Sequence, residues 1–532
     1  MQDTVPALVH HSRLFKSSSH CKPSPDGLLV AVLSSPSGIL IRSTKTLQTV
    51  HVVKLAPELT GPIGTLIWSP SSTRILFSAT DQIQVSSACD SSFHAVIRNP
   101  SAPVGGRLPL IQFGATDMEV LTCAPFGLKL CIFNLASSRA VEIGNPKFFQ
   151  PSSASRGFSV RPATGHLAVL TRVGGKDMIS IHHPSTRQIT KSWQPETLDA
   201  QGVQWTPDGQ WIILWESPAQ GRKLVIYSSG GQHYRTLDAS RLILDPKDEH
   251  ESDMQLGIKT CQLSGTSELC AVGDHSRGVI VLQTKIWRTM MRLWHPCVIT
   301  PSETLQAWQE QLGTGDHGDN TRVFLRADKA ISPQAVVDST TTAGDVRSGC
   351  SLISFDASST LLATRLDDSP STIWIWDLAA GELRAALMFH SAVTCVWHPT
   401  SREVLLILCQ EDGKQSVSYV WDPLSQGPTW LKVEQYLPKE GTTSKVQVSW
   451  LNRESESESP GLLVSDTRHY VLLSLADMEH EASPWEAAVG EVGGNDSSLG
   501  RDGAEVIASA RPIVIAQDDV SKLDDTFSFK YA

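Results

Sequence analysis

A module of about 45 residues recurs along most of this chain, and that period limits the possible folds more than any other feature. Each copy has an apolar alternation ending in an aromatic residue, then a Pro/Asp/Gly turn, then further apolar runs. The clearest copy spans Val203, Trp205, Pro207, Asp208, Gly209 and Trp211, followed by the run Lys223 to Tyr227. Others centre on Leu66–Trp68–Pro70, Phe158–Pro162 and Val396–Trp397–Pro399, and the first begins at Ser24–Pro25–Asp26–Gly27. Weaker copies lie at Phe113–Gly114, Ser264–Gly265, Phe355–Asp356 and Trp450–Leu451. Pro25 to Pro70 is 45 residues, Pro70 to Ala115 is 45, Ala115 to Pro162 is 47 and Pro162 to Pro207 is 45. One four-stranded propeller blade takes roughly 40–45 residues.

Each part of the module has a local cause. Period-two alternation makes a half-buried strand. Proline fixes φ at the first turn position, aspartate bonds its own backbone, and glycine takes the positive φ. The aromatic at the strand end is placed to pack on the neighbouring blade. Trp376–Asp377 and Trp421–Asp422 are the Trp-Asp endings that define the WD class of repeat.

These features predict an all-β, WD-repeat β-propeller with nine candidate blades. Their approximate ranges are 21–55, 62–99, 109–147, 156–195, 200–239, 257–296, 349–390, 392–434 and 444–479. No linker falls at a midpoint, which favours one enlarged ring over two. The ninth copy is the weakest and reads as short as half a blade. The organisation is therefore blades one to six over 10–296, a flexible insertion over 297–348, blades seven to nine over 349–479, and a mostly disordered tail over 480–532. Within that tail, the apolar runs Arg511 to Ala516 and Phe527 to Tyr531 stand out, and the second reads as a ring-closing strand or a peptide motif. The acidic runs Leu244 to Asp253 and Glu454 to Glu458 read as solvated loops.

Composition narrows the function. Of the 532 residues, 40% are hydrophobic and 19% charged, which suits a large buried core. The net charge of −10 opposes charge-driven binding to nucleic acid, an anionic membrane or the acidic surface of tubulin. The ten cysteines are scattered with no Cys-x-x-Cys, as expected in a reducing compartment. No signal peptide or apolar span is legible, so a soluble intracellular protein is expected.

No catalytic constellation is legible, and none is expected. Gly313 to Gly318 matches GxGxxG, but a helical pattern precedes it where a strand is required, and Asp316 would repel phosphate. His10–His11 and His182–His183 are strand neighbours facing opposite ways, so they chelate poorly. The expected cofactors, metals and small-molecule substrates are therefore none. Two segments suggest partner binding. Lys285, Trp287, Arg288, Arg292 and Trp294 interleave basic and aromatic residues, the types that dominate interface hot spots. Leu305, Trp308 and Leu312 share one face of a helix predicted over Ser302 to Leu312. Of the Ser/Thr-Pro sites Ser24, Ser69, Thr206, Ser332 and Ser369, the first three read as buried turn positions, leaving Ser332 as the accessible one.

Several segments also resemble a known family. Leu256 to Cys261, Leu269 to Gly278, Thr284 to Trp287 and Leu293 to Pro296 resemble the WD repeat-containing protein eight family of the centrosome and spindle pole body, with a fungal member indicated. So do Ala200 to Gln210 and Leu362 to Asp377, and the position of the long insertion. The resemblance covers roughly 10–430. It implies a non-catalytic adaptor at the microtubule-organising centre, with a cytoplasmic and cytoskeletal location. Such an adaptor anchors microtubule minus ends and supports the mitotic spindle. The implied partners are a coiled-coil spindle-pole anchoring protein and a minus-end-directed kinesin, with a γ-tubulin complex as a further candidate. The family supplies no transferable site residues. The alternative is a WD-repeat scaffold of another complex, such as a translation-initiation-like propeller.

Overall fold

The computed structural model describes residues 9–34, 38–55, 63–79, 82–98, 110–147, 155–221, 223–238, 257–314, 320–334, 349–401, 403–410, 417–438, 446–451, 459–475, 484–485 and 513–515. Among the described residues nine sheets, each built on an antiparallel meander, follow one another along the chain. Eight are four-strand meanders in sequence order: Cys21–Lys54, Thr65–Arg98, Leu110–Gly144, Phe158–Trp193, Ala200–Asp238, Ile258–Trp294, Cys350–Met388 and Ala392–Leu431. The ninth has three strands of its own within Gln447–Ser474. Its fourth edge comes from the other end of the chain, where His10–His11 and Phe15–Lys16 both pair with His469–Ser474.

One ring, not two, accounts for the packing. Every pair of successive blades shares its own apolar cluster. Leu29, Ile39 and Ile41 of blade one meet Leu66, Trp68 and Ile75 of blade two, and the pattern continues through the interface of blades eight and nine. The ninth cluster closes the circle: Leu463, Tyr470 and Leu472 of blade nine pack with Cys21, Val30 and Val32 of blade one. Phe15 and Trp485 fill the same cluster, and the Trp485 indole donates to the Thr44 carbonyl at 2.9 Å.

The repeat chemistry works as its spacing suggests. Three of the four tryptophans that end a first strand donate to the first strand of the preceding blade. Trp68 Nε1 donates to Lys22 O at 3.0 Å, Trp397 Nε1 to Ser354 O at 2.9 Å and Trp450 Nε1 to Val396 O at 2.9 Å. Asp377 of the Trp-Asp ending accepts from the amides of Ala379 and Ala380 and so caps the next turn. Gly27 and Gly209 take the left-handed backbone at the turn after the first strand, with φ of 72° and 68°. Ser72, Ser267 and Ser359 hold the corresponding position in other blades without glycine's freedom.

Three expectations need correction. Residues 10–16, included above in the 10–296 span of blades one to six, instead supply the fourth edge of blade nine. The insertion read as flexible contains a hairpin, Gln306–Thr314 with Asn320–Arg326. Its first arm lies parallel to Glu382–Met388 at the outer edge of blade seven, making a six-stranded sheet. The helix predicted over Ser302 to Leu312 is accordingly a turn and a strand, since the free edge of blade seven offers that segment a ladder to join. In the tail, Ile513–Ile515 pairs parallel with His94–Arg98 of blade two. The run Phe527 to Tyr531, both acidic runs and residues 315–319 of the GxGxxG match lie outside the described residues.

Candidate partner-binding surface

The structure divides the eight sequence-predicted residues into exposed and core groups. Lys285 is exposed in the turn before the outer strand of blade six, Arg288–Trp294. Arg288, Arg292 and Trp294 are exposed on that strand, and the Arg292 guanidinium lies 5.3 Å from the centre of the Trp294 ring. Met290, Ile286 and, on blade five, Tyr234 are exposed nearby in the fold. Arg235 of blade five donates to the Ile286 carbonyl at 3.3 Å and ties the two rims together. Sequence reasoning missed Met290 and Tyr234, although the aromatic–basic pair Tyr234–Arg235 on an outer strand was an available signal.

Trp287 is a correction. It is fully buried, in the cluster between blades five and six, edge-on to Trp211 with ring centres 6.5 Å apart. Its backbone is left-handed, with φ of 50°. The same holds at the turns containing Leu47 and Arg187, whose side chains are also buried. At these three turns the left-handed residue is buried, whatever strand alternation would suggest, whereas Ser138 at the same turn of blade three is exposed.

The second group separates in the same way. Trp308 is buried in the cluster between blades seven and eight, and Leu305 packs half-buried against Ile299, Ala307 and Met388. Glu310, also buried, accepts from Arg322 at 2.9 Å and from the His390 amide at 2.9 Å, and it accepts a further hydrogen bond from the Tyr419 hydroxyl. These contacts bind the hairpin to blade eight. Leu312 alone remains exposed.

The end of the outer strand of blade six is anchored to blade seven. His295, immediately after the outer strand, is buried. Its Nδ1 meets the Arg277 carbonyl at 2.6 Å and its Nε2 meets Thr364 Oγ1 at 2.8 Å. Trp376 Nε1 donates to the same hydroxyl at 2.9 Å. Burial, reinforced by the neighbouring Arg277 charge, pushes His295 down to about 4, while its bond to the Arg277 carbonyl opposes this. The ring is therefore neutral near pH 7. Arg277 pairs with Asp368 and Lys259 with Asp367, and both pairs join blades six and seven.

What remains outside is a seven-residue outer strand with Arg288, Arg292 and Trp294 exposed and no acidic residue, on a chain of net charge −10. Its outer edge carries no further strand among the described residues, unlike those of blades two and seven. Such an edge can offer backbone hydrogen bonds, a cation and an aromatic anchor together. Among the described residues, no group of three or more His, Cys, Asp or Glu is placed to hold a metal ion, and no helix is long and apolar enough to cross a membrane.

Comparison with known proteins agrees with this architecture. The chain is 24% identical over 497 residues to the WD repeat-containing protein WRAP73 of Mus musculus, covering 90% of this chain and 98% of that one. It is 22% identical over 484 residues to an uncharacterized WD repeat-containing protein of Schizosaccharomyces pombe, covering 88% and 92%. The two relatives are both WD-repeat proteins by name, in keeping with the WD-repeat β-propeller fold of this chain. No family model matches it. Solved structures with some likeness include a eukaryotic initiation factor, at TM-score 0.48 and 10% identity over 78% of this chain and 87% of that one. The Dos1 propeller has TM-score 0.45 and 12% identity over 79% and 93%.

Proposed function

We propose that this WD-repeat protein is an adaptor at the microtubule-organising centre. It grips a coiled-coil anchoring protein and, through that complex, a minus-end-directed kinesin, so that microtubule minus ends are held at the pole. A γ-tubulin complex is a further candidate partner. The carrying observation is the basic, aromatic outer strand of blade six on an otherwise acidic ring. That strand suits an acidic or helical protein partner, while the net charge opposes direct contact with the acidic tubulin lattice. The resemblance of Leu256 to Pro296 to the spindle-pole family supports the same reading.

Three measurements test it. Fluorescently tagged protein should form discrete dots at spindle poles and co-purify with a coiled-coil protein; a diffuse cytoplasmic signal would sink the proposal. Purified protein should not co-sediment with bare microtubules, and strong salt-sensitive co-sedimentation without partners would refute the adaptor mechanism. The double charge reversal Arg288→Glu with Arg292→Glu should weaken partner capture at least tenfold and leave the ring folded.

A further inference from the structure

Serine or threonine followed by proline occurs at ten places in the chain, and eight of these lie among the described residues. Five are sealed into the ring: Ser24, Ser69, Thr206, Ser217 and Ser369 are all buried. Their hydroxyls are largely occupied as well. Ser24 and Thr206 each donate to the aspartate of their own turn at 2.5 Å, Ser69 accepts from the Arg74 amide at 3.0 Å, and Ser369 donates to Asp368 at 2.9 Å. Ser459 is half-buried.

The remaining two, Thr300–Pro301 and Ser332–Pro333, are exposed, and the fold brings them to one place. Ile299 and Ile331 form an antiparallel bridge at the neck of the hairpin on blade seven. The Ile299 amide donates to the Ile331 carbonyl at 2.7 Å and the Ile331 amide donates back at 2.9 Å. Thr300 and Ser332 are the residues immediately following the two bridge partners, 32 positions apart in sequence. Neither hydroxyl has a hydrogen-bond partner among the described residues. The following proline disfavours helical backbone at each acceptor and leaves it extended. Ile299 and Ile331 meanwhile pack with Leu305, Ala307 and Met388, so the neck is fixed while the hydroxyls face solvent.

We propose that Thr300 and Ser332 form a paired phosphorylation site for a proline-directed Ser/Thr kinase, set at the neck of this hairpin. In each transfer the bond between the γ-phosphorus of ATP and the bridging oxygen breaks. A bond forms from that phosphorus to the Thr300 or Ser332 oxygen, ADP leaves, and the hydroxyl proton passes to the kinase's base. Each phosphate brings about −1.5 to −2 charge at pH 7. Thr300 lies six residues after Trp294, so the charge falls on the stretch that continues the basic strand of blade six. An effect on partner binding rests on the function proposed above; the modification itself does not.

The full-length folded protein, incubated with ATP and a purified proline-directed kinase, should take phosphate at Thr300 and Ser332, located by peptide mass mapping. The five buried sites should stay at least tenfold less labelled than these two. The heat-unfolded chain serves as the reference and should be labelled at the buried sites as well. Thr300→Ala with Ser332→Ala should remove the label at the neck and leave the melting curve unchanged. Two results would each overturn the proposal: no phosphate at either residue in the folded protein while the unfolded chain accepts it at both, or equal labelling of buried and exposed sites in the folded state.

Discussion

At the scale of single residues, the ring depends on buried polar contacts between blades. Arg187 of blade four and Glu119 of blade three form a two-pronged pair, with Nε to Oε1 at 2.5 Å and Nη2 to Oε2 at 2.6 Å, both side chains nearly sealed from solvent. Glu119→Gln leaves the guanidinium buried without its counter-charge and should cost about 3–5 kcal/mol, read as a lower denaturant midpoint. Replacing both residues by apolar ones of similar volume should cost much less; equal losses in the two variants would show that the charge is not the cause. His295 makes a pH prediction. Its folded form resists protonation until about pH 4, whereas the unfolded chain takes up the proton near 6.5. The unfolded state thus binds more protons between these values, so stability falls as pH drops from 6.5 to 4 and this contribution levels off below. The loss is about 3 kcal/mol. His295→Gln should be less stable at pH 7.5 but should flatten the slope of stability against pH by about one proton; an unchanged slope would refute the assignment. Neither site was legible beforehand. Glu119 and Arg187 lie 68 residues apart in different blades, and nothing local marks them as partners. His295 stood out in the sequence only through the family resemblance.

At the scale of elements, the sequence was most legible where local patterning and tertiary packing agree. The strand-turn-strand modules around Trp68, Trp205, Trp397 and Trp450 form as their alternation implies, because turn chemistry and blade packing ask for the same backbone. The segment after Ser302 was misread because its apolar residues fit two periods. Leu305, Trp308 and Leu312 fit a helix face, but Trp308, Glu310 and Leu312 equally alternate as a strand. The choice is made from outside the segment, by the open edge of Glu382–Met388. The second arm, Thr321 to Arg326 with Val323, Phe324 and Leu325, carried a strand signal that would have corrected the reading. Since Trp308 inserts between blades seven and eight, Trp308→Ala should cost about 3–5 kcal/mol. The hairpin joins the ring at one sheet edge, so the loss should appear first as faster amide exchange across 306–326. Exchange in blades one to five should hardly change; uniform acceleration around the ring would mean the hairpin is integral to global folding and not a docked addition.

At the scale of the whole molecule, the period of 45 residues announces a ring but cannot say how the ring closes. Any strand of suitable alternation near either end could supply the missing edge of blade nine, and the run Phe527 to Tyr531 has a more regular pattern than His10 to Lys16. The chain start closes the ring because its short strands carry the right buried side chains. Val9 packs in the cluster of blades eight and nine, Phe15 stacks on Tyr470 with ring centres 5.0 Å apart, and Ser12 exchanges hydrogen bonds with Leu472. Trp485 then covers the seam from the other end of the chain. Burying Val9 and Phe15 contributes about 1.5–3 kcal/mol each. Removing residues 2–17 would also expose the edge of His469–Ser474 to pairing with other molecules. That deletion should lower the unfolding midpoint sharply and raise light scattering below it. Deleting 527–532 should change neither. If the two deletions behaved alike, or if only the second were destabilising, closure by the N-terminal strands would be wrong, and the ring would have to be closed from its C-terminal end.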